Sequence, residues 1–352
     1  MIRVSRQDIE SMSAYSSVPL DGVDLDLRDN LNLWGAPPRA IEALRAAPSS
    51  MIAAYPSAGG GRLNEAIAAS AGVRPDEVIT GCGSDDVIDA FMRATAMPGD
   101  TVAHPDPSFS MVPLFARLNG LRPLGVPLLP DGSADVDGLL ATGARVIYLC
   151  SPNNPTGTIT PASEIRRLVE RAPGVVLLDE AYAEFSGEHD WRADAVAMER
   201  VLVTRTFSKA WGLAGLRVGY GTGGRGLVAA VAKARGPYKV NALAEIAATT
   251  ALTDDAGWMR DAAADARVCR ERLTASLDGR AGIRRWDSRG NFIFLQLDGS
   301  AAQAAESFRQ RGIGVRAFAE LKGIDQALRF AVAPWAELER VARHVEEMWP
   351  CV

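Results

Sequence analysis

Short apolar runs alternate with helix-like stretches along the first two thirds of this 352-residue chain. Runs at 78–80, 100–104, 125–129, 145–150, 174–178 and 201–204 are brief, rich in Val, Ile and Leu, and read as buried strands. Apolar periodicity and capping residues predict helices over 39–47, 63–70, 87–96, 110–118, 161–172 and 227–233. Strands alternating with helices imply a mostly parallel sheet covered by helices, an α/β fold. The pattern changes after about residue 240. A long apolar-periodic region, 241–277, breaks near 253–257 and is followed by a strand at 291–297, a helix at 301–311, strands at 313–316 and 327–331, and a helix at 335–348. This βαββα series fits a smaller α/β lobe. The expected organisation is an N-terminal arm, 1–30, with a brief strand near 25–28, packing on the small lobe; a large domain, 31–240; and a small domain, 241–352.

One stretch does not fit a routine reading. After the run 200–203, Thr204-Arg-Thr-Phe-Ser-Lys-Ala-Trp-Gly-Leu-Ala-Gly-Leu-Arg-Val-Gly-Tyr220 places a single lysine, Lys209, among hydroxyls and small residues. Ser208 precedes it and Arg217 follows eight residues later. Lysine is rarely buried without a partner. An amine that forms a Schiff base with an aldehyde, beside a hydroxyl and an arginine that hold a phosphate, accounts for the arrangement, and pyridoxal phosphate is such an aldehyde. Read alone, a Ser-Lys pair in a loop is usually solvated; the partners supplied by the rest of the chain shift the reading.

The remaining partners lie just after other predicted strands, where ligands of parallel sheets bind. Gly81-Cys-Gly-Ser-Asp-Asp86 turns into a helix with Ser84 as a candidate N-cap. Such a turn is either an ordinary capped helix or an anion site. Ser151-Pro-Asn-Asn-Pro-Thr-Gly157 is a rigid polar loop in which Asn154 either makes a turn or donates to the phenolic oxygen of the cofactor. Asp179 ends the run Val175-Val-Leu-Leu178. A carboxylate there needs a cationic partner or a helix to cap, and a protonated pyridine nitrogen is such a partner. Tyr182, one turn on, reaches toward the same phenolic oxygen as Asn154.

Composition removes other classes. The net charge is −5, which argues against a nucleic-acid surface. No apolar run is long enough for a membrane span, and the first residues lack the apolar core of a signal peptide. The four cysteines and three histidines show no metal spacing and no disulfide framework, so the expected location is the cytoplasm and no metal is expected.

With these residues in view, the chain resembles the aspartate-aminotransferase superfamily of pyridoxal phosphate enzymes (fold type I), and within it the histidinol-phosphate aminotransferase family. Ser151–Gly157, Asp179-Glu-Ala-Tyr182, Thr206-Phe-Ser-Lys209 and Gly215-Leu-Arg217 carry the wider likeness. Gly83-Ser-Asp-Asp86, Tyr55-Pro56, Pro237-Tyr-Lys-Val-Asn-Ala242 and Leu328-Arg329 carry the narrower one. The resemblance implies a seven-stranded, mostly parallel sheet and a homodimer with shared sites. It implies Lys209 as the Schiff-base lysine and proton carrier, and Asp179 on the pyridine nitrogen. Asn154 and Tyr182 are implied on the phenolic oxygen. Gly83, Ser84, Asp85, Ser208, Arg217 and Thr206 are implied around the phosphate, with Phe109 stacked on the ring. Tyr55 is implied in the partner subunit's site, Arg329 on the substrate's acidic group, and Asn32, Tyr15 and Arg316 on the substrate side. The implied reaction is transfer of the amino group of histidinol phosphate to a 2-oxo acid. Alternatives are an aromatic amino acid as donor, or decarboxylation of a phosphorylated amino acid such as threonine phosphate. Asn30-Leu-Asn-Leu-Trp-Gly35 departs from the family's Asn-Glu-Asn-Pro-aromatic-Gly, and Phe109 stands where tyrosine is common.

Overall fold

The computed structural model describes residues 4–10, 12 and 21–351, and Tyr15 lies outside them. Its strands are β1 Leu25–Asp26, β2 Val78–Cys82, β3 Thr101–Asp106, β4 Arg122–Pro127, β5 Val146–Cys150, β6 Val175–Asp179, β7 Val201–Thr206, β8 Val218–Gly223, β9 Ile283–Arg285, β10 Phe292–Leu297, β11 Ile313–Gly314, β12 Arg316–Leu321 and β13 Asp325–Ala331. Seven of them form one sheet in the order β2-β8-β7-β6-β5-β3-β4. The central strands β5, β6 and β7 are buried along their whole length, which is why they read as unbroken apolar runs.

β3, β4, β5, β6 and β7 run parallel, while β8 is antiparallel to both β2 and β7. The C-terminal ends of β2, β3, β5, β6 and β7 and the N-terminal end of β8 therefore share one edge of the sheet. β8 is not among the strands expected from the sequence. Its glycines at 219, 221 and 223 dilute the strand signal, yet all six residues are buried. β4 lies about three residues earlier than expected, because its pairing with β3 begins at Arg122.

One face of the sheet carries helix Gly83–Thr95, whose Ile88 and Phe91 pack with Tyr148, Leu177 and Leu202. The other face carries helix Ala162–Arg171 on Ile147, Leu149, Leu178 and Val203. Helix Ala242–Asp254 directs Ala244, Ala247, Ala248 and Ala251 against Leu63, Ile67, Phe207 and Tyr220, and so adds to the large-sheet body. The sheet β12-β13-β10-β9 has its own core with helices Ala256–Leu277, Ala301–Gln310 and Trp335–Met348. β1 pairs in parallel with β11, and Leu25 and Leu27 are buried in that second core. Among the described residues no helix is long and apolar enough to cross a membrane.

Candidate active site

Almost every side chain at the shared edge follows from strand direction. Gly83, Ser84 and Asp85 leave β2, Phe109 follows β3, Asn154 follows β5, Asp179 ends β6, Ser208 and Lys209 leave β7, and Arg217 enters β8. The cleft lies beyond the carboxyl ends of the strands, as expected of such sheets.

Lys209 Nζ donates to the carbonyl of Asp29 at 2.8 Å and stands 5.9 Å from the centre of the Tyr182 ring. Desolvation, helped by the positive charge of Arg329, lowers its ammonium from the ordinary 10.5 to about 8, while Asp29 and Asp85 pull the other way. The amine is therefore available as a nucleophile near neutral pH. The Tyr182 hydroxyl accepts from Nδ2 of Asn30 at 3.1 Å, and burial raises its pKa.

Asp179 is 3 % exposed. Its Oδ2 accepts from the Tyr148 hydroxyl at 2.6 Å and its Oδ1 from the Ala181 N–H at 3.1 Å. Burial pushes its carboxyl up to about 6, against the pull of those two donors. No Lys or Arg pairs with it among the described residues, so a cation arriving in the cleft would be its natural counter-ion.

The turn from β2 into helix Gly83–Thr95 builds an anion cradle. The helix begins at Gly83, with Cys82 at the cap, so Ser84 lies in the first turn rather than at the cap as expected. Gly83 takes φ +80°, and a Cβ there would sit 2.7 Å from Nη2 of Arg217. The first-turn N–H groups have no intrahelical partner. Arg217 Nη1 donates to Ser208 Oγ at 3.4 Å and Nη2 to Asp85 Oδ2 at 3.2 Å, and the Ser208 N–H donates to Thr206 Oγ1 at 3.1 Å. Burial raises the Asp85 carboxyl despite Arg217. A Cβ at Gly219 would lie 2.1 Å from the backbone nitrogen of Ser84. Gly219→Ala therefore displaces the first turn, at about 1–3 kcal/mol. The expected result is a cofactor Kd raised about tenfold to a hundredfold, read by absorbance titration; an unchanged Kd would show that the cradle does not hold the phosphate.

Arg329, largely buried on β13, donates to Asn154 Oδ1 and, at 2.7 Å, to the carbonyl of Arg28. This leaves Nδ2 of Asn154 as a donor. Arg316 lies directly across from Arg329 in the β12–β13 register and makes no hydrogen bond or ion pair among the described residues. Phe109 is partly buried against the helix-covered face of the sheet.

Two further candidates have partners of their own within the chain. Asn32 donates to the carbonyl of Ala210 at 2.8 Å and accepts from the Trp34 N–H at 2.9 Å, so its amide orders backbone. Tyr55, expected in the partner subunit's site, is 84 % exposed and stacks on Tyr238 with centroids 4.8 Å apart.

Three contributors were not singled out from sequence. Asn30 has φ +52°, a conformation Asn tolerates better than most residues, and Asn291 Nδ2 donates to its carbonyl at 3.1 Å. A turn-forming Asn in a turn-rich segment is the only sequence signal it carries. Tyr148 is hidden inside an apolar run. Below the site, Arg205 Nη2 pairs with Glu180 Oε2 at 2.7 Å and with Asp190 Oδ1 at 3.1 Å. This buried cluster ties the ends of β6 and β7 together, and breaking such a pair typically costs about 3–5 kcal/mol.

Amine, buried carboxylate and anion cradle converge on one cleft. A ring with a basic nitrogen at one end, a phosphate at the other and an aldehyde between them matches these groups, and pyridoxal phosphate fits. Fold and site together define a fold type I architecture, in which a buried aspartate ends one sheet strand and a lysine follows its neighbour. The chain belongs to the class I and II aminotransferases, whose family model matches residues 21–345. It is 36 % identical over 336 residues to the histidinol-phosphate aminotransferase of Roseiflexus castenholzii, covering 92 % of this chain and 89 % of that protein. It is 38 % identical over 323 residues to the enzyme of the same name from Ruegeria pomeroyi, covering 89 % and 88 %. The histidinol-phosphate aminotransferase of Sinorhizobium meliloti, solved in complex with pyridoxal-5'-phosphate, shares the fold with a TM-score of 0.87 at 23 % identity, covering 99 % of both chains.

Proposed function

We propose that this protein is a pyridoxal phosphate-dependent aminotransferase that takes the amino group of L-histidinol phosphate and passes it to a 2-oxo acid, 2-oxoglutarate. The observation that carries the donor assignment is the Arg316–Arg329 pair. The two face each other across β12 and β13, and the Arg316 side chain has no hydrogen-bond or ion-pair partner among the described residues. A phosphate, with a charge of about −1.5 to −2 and three acceptor oxygens, uses two guanidiniums where a carboxylate is satisfied by one. The names of the relatives from Roseiflexus castenholzii and Ruegeria pomeroyi support the same reading.

Bound in the cleft, pyridoxal phosphate supplies an electron sink for the bond broken at the donor's Cα. Lys209 would anchor the cofactor's aldehyde and, as the free amine, would take up and return the donor's Cα proton. Asp179 would hold the proton on the ring nitrogen. Tyr182, oriented by Asn30, and Asn154 Nδ2 would donate to the phenolic oxygen. The N–H groups of Ser84 and Asp85, with Ser208 and Arg217, would receive the phosphate; Thr206 orients Ser208, and Phe109 would cover the ring. Arg329 and Arg316 receive the donor's phosphate.

The exposed Tyr55–Tyr238 stack supports a homodimer in which Tyr55 serves the partner's site. The packing of helix Ala242–Asp254 supports a division between the large and small domains within helix Ala256–Leu277, later than residue 240. The four free cysteines fit a cytoplasmic location.

A single-turnover half-reaction on the purified holoenzyme tests the assignment. Histidinol phosphate, phenylalanine and threonine phosphate are added separately, and the cofactor absorbance is followed with CO₂ trapped. Fast conversion to the amine form of the cofactor by histidinol phosphate alone is expected. A faster response to phenylalanine moves the protein to aromatic donors, and CO₂ release from threonine phosphate overturns the transfer reaction.

A further inference from the structure

Tyr148 stands in the core between the sheet and helix Gly83–Thr95, and its hydroxyl reaches the site. It is fully buried on β5, packed among Phe91, Val102 and Leu177. A phenol in such surroundings is unfavourable unless its hydroxyl finds a partner. The partner is Oδ2 of Asp179, at 2.6 Å. Register explains the reach. Tyr148 pairs with Leu177 and Cys150 with Asp179, so Tyr148 and Asp179 lie on the same face, two residues apart on neighbouring strands. Such diagonal neighbours are within range of a long side chain.

The other groups around Asp179 do little to hold its charge. Cys150 on β5 and Thr204 on β7 stand beside it in register, and Tyr182 follows it in sequence. Asp85, on the helix above, is itself an acid and raises the Asp179 carboxyl. The Ala181 N–H satisfies Oδ1 only. Thr204 adds a smaller favourable pull, and the phenol is the side-chain donor within hydrogen-bond distance that fixes the carboxylate's rotamer and favours its ionised form.

We propose that Tyr148 is a positioning residue for transamination: its O–H holds Asp179 as an oriented carboxylate, and through it keeps the cofactor's ring nitrogen protonated. The proposal rests on the reading of the cleft as a pyridoxal phosphate site. Tyr148 touches neither cofactor nor substrate in this role. Its effect passes through Asp179 alone, which sets it apart from a core residue that happens to be tyrosine.

The test uses Tyr148→Phe, which keeps the ring and its packing, in holoenzyme loaded with ring-¹⁵N pyridoxal phosphate. The expected results are a ¹⁵N resonance moved toward that of the unprotonated ring at neutral pH, and a half-reaction rate constant lowered about tenfold or more, the scale of one hydrogen bond to a charged group. Saturation by the donor should change less than twofold. In an Asp179→Asn background the same Tyr148→Phe change should add nothing to either readout. A ¹⁵N resonance identical to wild type, or an equal rate loss in the Asp179→Asn background, overturns the proposal, because the tyrosine would then act by packing. Wild-type protein that fails to take up pyridoxal phosphate overturns the site reading itself, an outcome distinct from a normal wild type with an indifferent Tyr148→Phe.

Discussion

Lys209→Ala abolishes turnover, with a loss beyond the 10²–10⁴-fold (~2.7–5.4 kcal/mol) that general acid–base catalysis alone contributes, because the same amine is also the nucleophile that anchors the cofactor. Its place in the cleft is set by β7, which delivers it at the sheet edge, and by the Asp29 carbonyl, which accepts a hydrogen bond from its Nζ at 2.8 Å. The variant should still bind pyridoxal phosphate reversibly, since the anion cradle around Ser84, Ser208 and Arg217 is intact, but without the absorbance of the covalent link. Turnover within tenfold of wild type would sink the assignment. A pH series on the wild-type, cofactor-free protein reads the same residue independently. Only the neutral amine attacks the aldehyde. With the ammonium lowered to about 8, the rate of cofactor capture rises with pH up to about 8 and levels above it. A rate that keeps rising past pH 10 would mean that the lysine is solvated like an ordinary one.

Asp179→Ala has the second largest effect, a half-reaction slowed about 10²–10³-fold, the scale of removing one preorganised electrostatic group from a site. The carboxylate is positioned at the end of a fully buried strand and carries no protein cation. Its removal takes the counter-ion from the ring nitrogen and leaves the Tyr148 hydroxyl without an acceptor, an unsatisfied buried group that costs about 1–3 kcal/mol of stability. Cofactor stays bound through Lys209 and the phosphate cradle, so stoichiometry by absorbance should remain near one per chain while the rate collapses and Tm falls modestly. A variant with full rate and full cofactor would show that the ring nitrogen is held by another group.

Much of this site was legible because each candidate follows a strand whose two buried faces demand an apolar run. A polar residue that closes such a run stands out: Asp179 after Val175-Val-Leu-Leu178, and Ser208-Lys209 after β7. β8 was not legible. Its alternating glycines serve backbone approach, as the contact between Gly219 and Ser84 shows, and a residue chosen for lacking a side chain leaves no hydrophobic trace. Tyr148 was equally invisible, since an aromatic residue within an apolar run reads as packing whether or not its hydroxyl is used. Asn30 and Asn32 lie two residues apart in one turn-rich segment. Only the folded chain shows that the first reaches Tyr182 while the second orders backbone. The alanine stripe of helix Ala242–Asp254 suited either body, and packing against Phe207 and Tyr220 decided it.

The sequence by itself determined the α/β class, the strand ends at which chemistry sits, and the residue types that meet an aldehyde, a ring nitrogen and a phosphate. Those are consequences of burial and of local charge, which act over a few residues and are written in order along the chain. The tertiary structure decided which polar groups face one another across strands: Tyr148 on Asp179, Arg316 opposite Arg329, and residues 28–30 against Arg329, Lys209 and Tyr182. These pairings depend on strand order and register over separations of up to three hundred residues. No local pattern carries that information, because it is set only when the two sheets and the N-terminal segment pack together.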